Sequence, residues 1–285
     1  MRTHLTCIAC LVRQASSLAE ESLDPRERER FMRRVLERAA RFDYASPPPL
    51  FTREIYRILR EIDGTGDPFG EKKDFYNRVA LSLEPRLREI AVSRPRPLEA
   101  ALRMAVAGNI IDFGVHGSHE IEVEDTILSA LDAPFAVDHA SELAERLERA
   151  GSVLYVADNA GEIVLDRLLI ELIGPHRVTC AVRSAPVIND ATLADARQVG
   201  LFGLCRVIAS GSDAPGTPLE LCSEEFLQCF EEADVVIAKG QGNYETLEAP
   251  GREIFHLMMV KCPVVSRDLG APEGSFIIME RGRAL

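Results

Sequence analysis

Five short apolar runs, SVLYVA, RVTCAVR, CRVIAS, ADVVIAKG and CPVVSRD, follow one another from residue 152 onward, separated by helical or glycine-rich segments. Runs apolar at successive positions bury both faces, and their alternation with helices makes them strands of a parallel sheet covered on both sides. The pattern predicts a doubly wound α/β region over 151–285. In such sheets ligands lie beyond the carboxyl ends of the strands, so the loops there are where chemistry is expected. Ahead of this region, CIACLVRQASSLAEESL, ERFMRRVLERAARF, PLFTREIYRILREI, DFYNRVALSLEPRLREIAV and PLEAALRMAVAGNIIDFGV repeat apolar residues at three- and four-residue spacing. YASPPPL and GTGDPFG break that rhythm, so residues 1–150 are expected to be a helical bundle region, with HASELAERLERAG as the link.

Composition narrows the function. An apolar content of 46% in 285 residues supports a buried core. No stretch is apolar enough to cross a bilayer, and MRTHLTCIACLVRQ lacks a secretory layout, so a soluble cytoplasmic protein is expected. A net charge of −12 repels nucleic acid and anionic membranes, and neither is an expected partner. The Arg-rich DPRERERFMRRVLERAARF interleaves Glu at helical spacing and reads as a solvated, ion-paired face. Seven cysteines, single apart from Cys7 and Cys10, do not make a secreted disulfide framework. That lone C-x-x-C reads first as packing on one helix face, with redox or metal roles open. Oligomeric state leaves no signal.

Four loops carry the polar residues. ADNAGE follows the first strand, bringing Asp158 and Asn159 out together, with Gly161 for a tight turn and a helix starting near Glu162 whose free N–H groups face the same spot. The plain alternative is helix capping. Asn189 and Asp190 follow the second strand, and Asp190 is open to the same alternative. If both loops meet, Asp158, Asn159 and Asp190 supply three oxygen ligands suited to Mg²⁺ or Mn²⁺. ASGSDAPGT offers Ser210, Gly211 and Ser212 as an anion nest or a plain turn. KGQGNYE places Lys239 at a strand end to meet a phosphate, with Gly240 and Gly242 admitting a ligand close to the backbone. As a dinucleotide fingerprint it fails, because Glu245 stands at the third glycine position. In the helical half, Asn109 and Asp112 are three apart, as structural partners or as a wall of the site. His116 and His119 lack further zinc ligands at familiar spacing.

The series GNIIDFG, ADNAGEIVLD, INDAT, GSDAPGT and KGQGNYE, in that order and spanning nearly the whole chain, resembles the metal-dependent damage-control phosphatases, also known as domain of unknown function 89. It is most similar to the prokaryotic and archaeal branch, which also opens on a C-x-x-C. The resemblance implies a three-layer α/β/α sandwich with an N-terminal helical region, and hydrolysis of a small phosphorylated metabolite with a divalent metal, Mn²⁺, Ni²⁺, Co²⁺ or Mg²⁺. It places the family's Asp-Asn pair on Asp158 and Asn159 and its second metal-binding Asp on Asp190. The sugar-phosphate branch's Lys motif is not evident, so no substrate transfers. In this reading Asp158, Lys239 and Asp112 carry catalysis, while Asn109, Gly161, Glu162, Ser210, Gly211, Gly240, Gly242 and Asn243 contact substrate. Two routes stay open: attack by an activated water, or by Asp158 itself. The rivals are a nucleotide-binding oxidoreductase and a noncatalytic metal- or ligand-binding regulator with the cysteine pair as sensor.

Overall fold

The computed structural model describes residues 1–64, 66–110, 120–248 and 251–282. Asp112, together with Gly114, His116 and His119, lies outside them. The chain begins with five helices, α1 (Leu5–Ser22), α2 (Pro25–Ala39), α3 (Pro48–Asp63), α4 (Gly70–Ser93) and α5 (Pro97–Ala107). Their limits follow local chemistry. Asp24 closes a capping box with Glu27 ahead of Pro25, and prolines stand at the starts of α2, α3 and α5, where no N–H is missed.

Next come α6 (Glu120–Asp132), β1 (Phe135–Asp138), α7 (Ala140–Arg149), β2 (Val153–Val156), α8 (Glu162–Ile173), β3 (Val178–Val182), α9 (Leu193–Gln198) and β4 (Arg206–Ala209). The chain finishes with α10 (Glu224–Glu232), β5 (Val235–Lys239), α11 (Gly240–Thr246), β6 (Ile254–Met259), α12 (Pro263–Leu269) and β7 (Phe276–Arg281). The strands form one sheet in the order β1-β7-β6-β5-β2-β3-β4. Every pairing is parallel except β6 with β7. The α/β expectation therefore holds, with an antiparallel turn-back toward one edge.

Alternate residues of β2 show why both faces are apolar. Val153 and Tyr155 enter a core with α4, α5 and α8, while Leu154 and Val156 enter another with Phe226 and Phe230 of α10. Helices α1 to α3 build a separate core, which takes in Val187 from the loop after β3. The hydrophobic cores thus join α4 and α5 to the sheet and leave α1 to α3 as a cap on its loops. Among the described residues no helix is long and apolar enough to cross a membrane.

Several expected elements change. CPVVSRD is a helix: Pro263 stands at its first position and the Cys262 thiol accepts the Val265 N–H, which together favour a helical start over a strand. The segment before residue 150 contributes a strand, β1, which pairs with β7. HASELAERLERAG is α7, the crossover from β1 to β2. Strands β6 and β7 were not anticipated. Their runs, IFHLMM and FIIMER, flank α12 and pair antiparallel with each other, and reading CPVVSRD as the strand of this region hid both.

Candidate active site

Asp158 and Asn159 leave β2 at the carboxyl end of the sheet, and Asn189 and Asp190 leave β3 beside them. Backbone bonds bring the two loops together: Ala191 N–H donates to Asp158 O at 2.7 Å and Ala160 N–H to Asn189 O at 2.9 Å. Asn159 and Asp190 form an isolated antiparallel bridge. The predicted convergence of Asp158, Asn159 and Asp190 is therefore present in the backbone.

Neither loop is an ordinary cap. Helix α8 starts behind Gly161 with no side-chain cap, and α9 is capped by Thr192, whose N–H and hydroxyl donate to Asp195 at 2.8 and 2.7 Å. Asp158 and Asp190 are left for other work, although both are nearly buried.

Their hydrogen bonds fix which atoms face where. Asp158 Oδ2 accepts from Asn109 Nδ2 at 3.0 Å and from Asn159 Nδ2 at 2.9 Å. The same two nitrogens reach Glu162 Oε2 at 3.0 and 2.9 Å. Carboxylates only accept, so both amides must turn nitrogen toward them and oxygen away. A Cβ added to Gly240 would lie 1.8 Å from Asp158 Oδ2, so this positive-φ glycine lets the carboxylate rest on the backbone of α11. One oxygen of Asp158 is thus clamped, and Oδ1 faces the Arg183 guanidinium at 3.8 Å.

Arg183 directly follows β3 and is fully buried. Its Nε donates to Asp190 Oδ2 at 2.6 Å, Nη1 to Thr217 Oγ1 at 2.8 Å and Nη2 to Asn243 Oδ1 at 3.2 Å. Asn243 in turn donates to Lys239 O at 2.7 Å. Below the turn, Lys239 Nζ donates to Glu162 Oε1 and Asp166 Oδ1, both at 2.6 Å, and Tyr155 OH donates to the same Asp166 oxygen at 2.6 Å. Burial alone would lower the Lys239 pKa, but the Asp166 and Glu162 charges outweigh it and hold the ammonium protonated. Burial raises Asp166 to about 6 against the pull of Lys239. Asp158 is pushed well above the ordinary carboxylate range by burial, then by Asp190 and Glu162, with Arg183 and Lys261 opposing.

These contacts revise several assignments. Lys239 is enclosed by two carboxylates and could reach a phosphate only by abandoning one of them, so it holds the site from beneath. Glu162 is equally buried and serves both clusters. Asn243 positions Arg183. The Gly161 N–H donates to Asn77 Oδ1 at 2.7 Å, and the Ala160 N–H is also taken, so neither is open to an anion. Gly242 admits Pro215 O, 2.4 Å from an added Cβ, and Gly240 admits Asp158, so these glycines accommodate the chain itself. The loop after β4 is not an open nest: Gly211 N–H donates to Ser184 Oγ, Ser212 N–H to Ser210 Oγ and Ala214 N–H to Ser212 Oγ. Ser210 is fully buried.

Sequence reasoning missed Arg183, Asn77, Asp166 and Lys261. Arg183 looked like the flank of a strand. Asp166 was detectable: with Glu162 it makes two acids four residues apart on one face of a helix that is mostly apolar apart from Arg167 and Glu171, and buried acids there demand a cation. Asn77, buried on α4, also donates to Gln198 at 2.6 Å and Asp195 at 3.3 Å. It therefore ties the Asp158 turn to the helix that follows Asp190.

The chain is thus an α/β protein whose two acidic loops meet at the carboxyl end of a seven-stranded sheet. The damage-control phosphatase ARMT1-like domain matches residues 3–277. The chain is 36% identical to damage-control phosphatase PH1575 of Pyrococcus horikoshii, over 98% of each chain, and 33% identical to a damage-control phosphatase of Archaeoglobus fulgidus, over 82% of this chain and 84% of that one. A crystal structure of a DUF89 family protein from Pyrococcus horikoshii superposes with a TM-score of 0.88 at 34% identity, covering 99% of this chain and 100% of the other. The chain belongs to the ARMT1-like damage-control phosphatase family and is a phosphatase.

Proposed function

We propose that this phosphatase hydrolyses small phosphomonoesters at the Asp158, Asn159 and Asp190 loops with a divalent cation held by those side chains. The observation that carries the reading is the meeting of Asp158 and Asp190 at one end of the sheet. Their carboxylates share the buried Arg183, and the partly exposed Lys261 adds positive charge that acts on Asp158. The donors fit a hydrated ion. Asp158 and Asp190 would supply carboxylate oxygens and Asn159 an amide oxygen, with waters completing the shell; among the described residues there is no group of three or more His, Cys, Asp or Glu able to hold a metal. Asn109 Oδ1 is a further buried acceptor without a partner among the described residues.

When bound, such an ion polarises phosphoryl oxygens and lowers the pKa of water. The chain does the rest. Asn109, Asn159 and Gly240 clamp Asp158 Oδ2 and leave Oδ1 on the side of Arg183. Arg183, braced by Thr217 and Asn243, orients Asp190. Lys261 adds a positive charge that acts on Asp158. The clamped geometry also suits Asp158 as a nucleophile, because one oxygen is restrained and the other presented. Trapping of an acyl-phosphate on Asp158 distinguishes that route from attack by water.

Filling of the Gly240 and Gly242 approaches by the chain itself counts against dinucleotide binding. The reading places the enzyme among cytoplasmic phosphorylated metabolites. Phosphate release from sugar phosphates, nucleotides and phosphorylated cofactors, each with Mn²⁺, Co²⁺, Ni²⁺ and Mg²⁺, tests it. Turnover that requires an added ion is expected, and equal turnover in metal-stripped protein contradicts it.

A further inference from the structure

Helix α3 carries Arg53, Arg57 and Arg60 on one face, and all three converge on Asp213 in the loop after β4. Arg57 approaches the carboxylate with both Nε (2.7 Å) and Nη2 (3.2 Å), Arg60 Nη2 lies at 3.4 Å, and Arg53 Nε also donates. Arg60 Nη1 further donates to Pro186 O at 2.5 Å. Two acids of the same helix point elsewhere: Glu54 pairs with Arg38 and Glu61 with Arg34, both on α2. Three guanidiniums therefore converge on the one Asp213 carboxylate, in a chain whose net charge is −12.

A simple tie between cap and loop explains one of these arginines. A single bidentate Arg57–Asp213 pair would hold the loop. Gathering three like charges at adjacent helical positions costs stability, so the surplus needs another reason. Its place supplies one. Pro186 is in the loop that runs on to Asp190, and Asp213 is in the loop that runs on to Thr217, which braces Arg183. The cluster therefore overlooks the carboxyl end of the sheet. Arg57 keeps 43% of its side chain exposed there.

We propose that Arg53, Arg57 and Arg60 form a second anion subsite that takes a phosphate or carboxylate group borne by the phosphate ester away from its scissile end, sharing the guanidiniums with Asp213. This rests on the phosphatase reading and narrows it to substrates that carry two anionic groups. Asp213 is the internal anion that limits binding at the subsite.

Kinetics on matched esters test this: a sugar monophosphate, the corresponding bisphosphate, and a phosphoglycerate as the carboxylate case. Arg57→Gln should raise KM about tenfold for the bisphosphate, the scale of one charge-assisted contact, while kcat and the monophosphate KM change less than about twofold. Whichever of bisphosphate and phosphoglycerate responds more identifies the second anion. Asp213→Asn distinguishes a subsite from a tie. It should lower KM for the doubly anionic ester, whereas a tie predicts poorer use of every ester and overturns the proposal. Direct binding separates this from failure of the phosphatase reading. Inorganic pyrophosphate, titrated calorimetrically into resin-stripped protein, should bind wild type and Asp158→Ala alike and bind Arg57→Gln about tenfold more weakly. Absence of binding to the wild type, or equal binding to Arg57→Gln, overturns the subsite whatever the enzyme hydrolyses.

Discussion

Two carboxylate clusters meet at Glu162 and behave differently. In the lower one, Glu162 and Asp166 enclose Lys239, and Tyr155 adds a hydroxyl. In the upper one, Asp158 and Asp190 share Arg183, and burial beside those like charges drives Asp158 up. Each cluster sets two carboxylates against one buried cation, so formal charge does not separate them; access does. Glu162, Asp166 and Lys239 are wholly enclosed, which makes the lower cluster a structural support, whereas the Asp158 side chain keeps 11% of its surface open. Buried acids thus read as a candidate site where one of them reaches the surface, and as a scaffold where none does.

Four substitutions sharpen this contrast. Asp158→Ala or Asp190→Ala should cut phosphate release by about three orders of magnitude, the scale of losing a preorganised group at the transition state, with the circular dichroism spectrum unchanged. Lys239→Met should act the other way round, on the fold, because it leaves two buried carboxylates without a cation. About 3–5 kcal/mol should be lost in urea unfolding. Asn77→Leu leaves the Gly161 N–H unsatisfied and unties the two acidic turns. It should cost about 1–3 kcal/mol and weaken metal activation.

The smallest effect lies in the pH dependence of stability, away from both clusters. His256 on β6 is buried with neither ring nitrogen bonded among the described residues, and burial lowers its pKa to about 3. It stays neutral in the fold but takes up a proton when unfolded, so stability falls as pH drops from about 6.5 toward 3. His256→Leu should flatten that limb in unfolding measurements. Glu245 has the opposite sign. Burial raises it to about 7, so the folded protein keeps a proton the unfolded chain loses, and stability falls as pH rises from about 4.5 through 7.

The sequence made the parallel strands β2 to β5 legible because their alternation with helices is itself periodic. It made Asp158, Asn159 and Asp190 legible because strand ends in such sheets are where ligands go. Lys239 was misread for a reason of scale. A lysine at a strand end looks available until the helix beside it is seen to carry Glu162 and Asp166 on its inner face. Arg183, Asn77 and Lys261 depend on which loops fold over which, a long-range property that local pattern does not encode. Strands β6 and β7 escaped because CPVVSRD, the helix between them, was read as the strand of that region.

The claim that the upper cluster holds a cation and the lower one does not is tested most directly by titrating Mn²⁺ into metal-stripped protein and into two isosteric variants. Wild type and Asp166→Asn should each bind one ion per chain at the site, and Asp158→Asn should lose it. Retention of the ion in Asp158→Asn, or its loss in Asp166→Asn alone, would contradict the account.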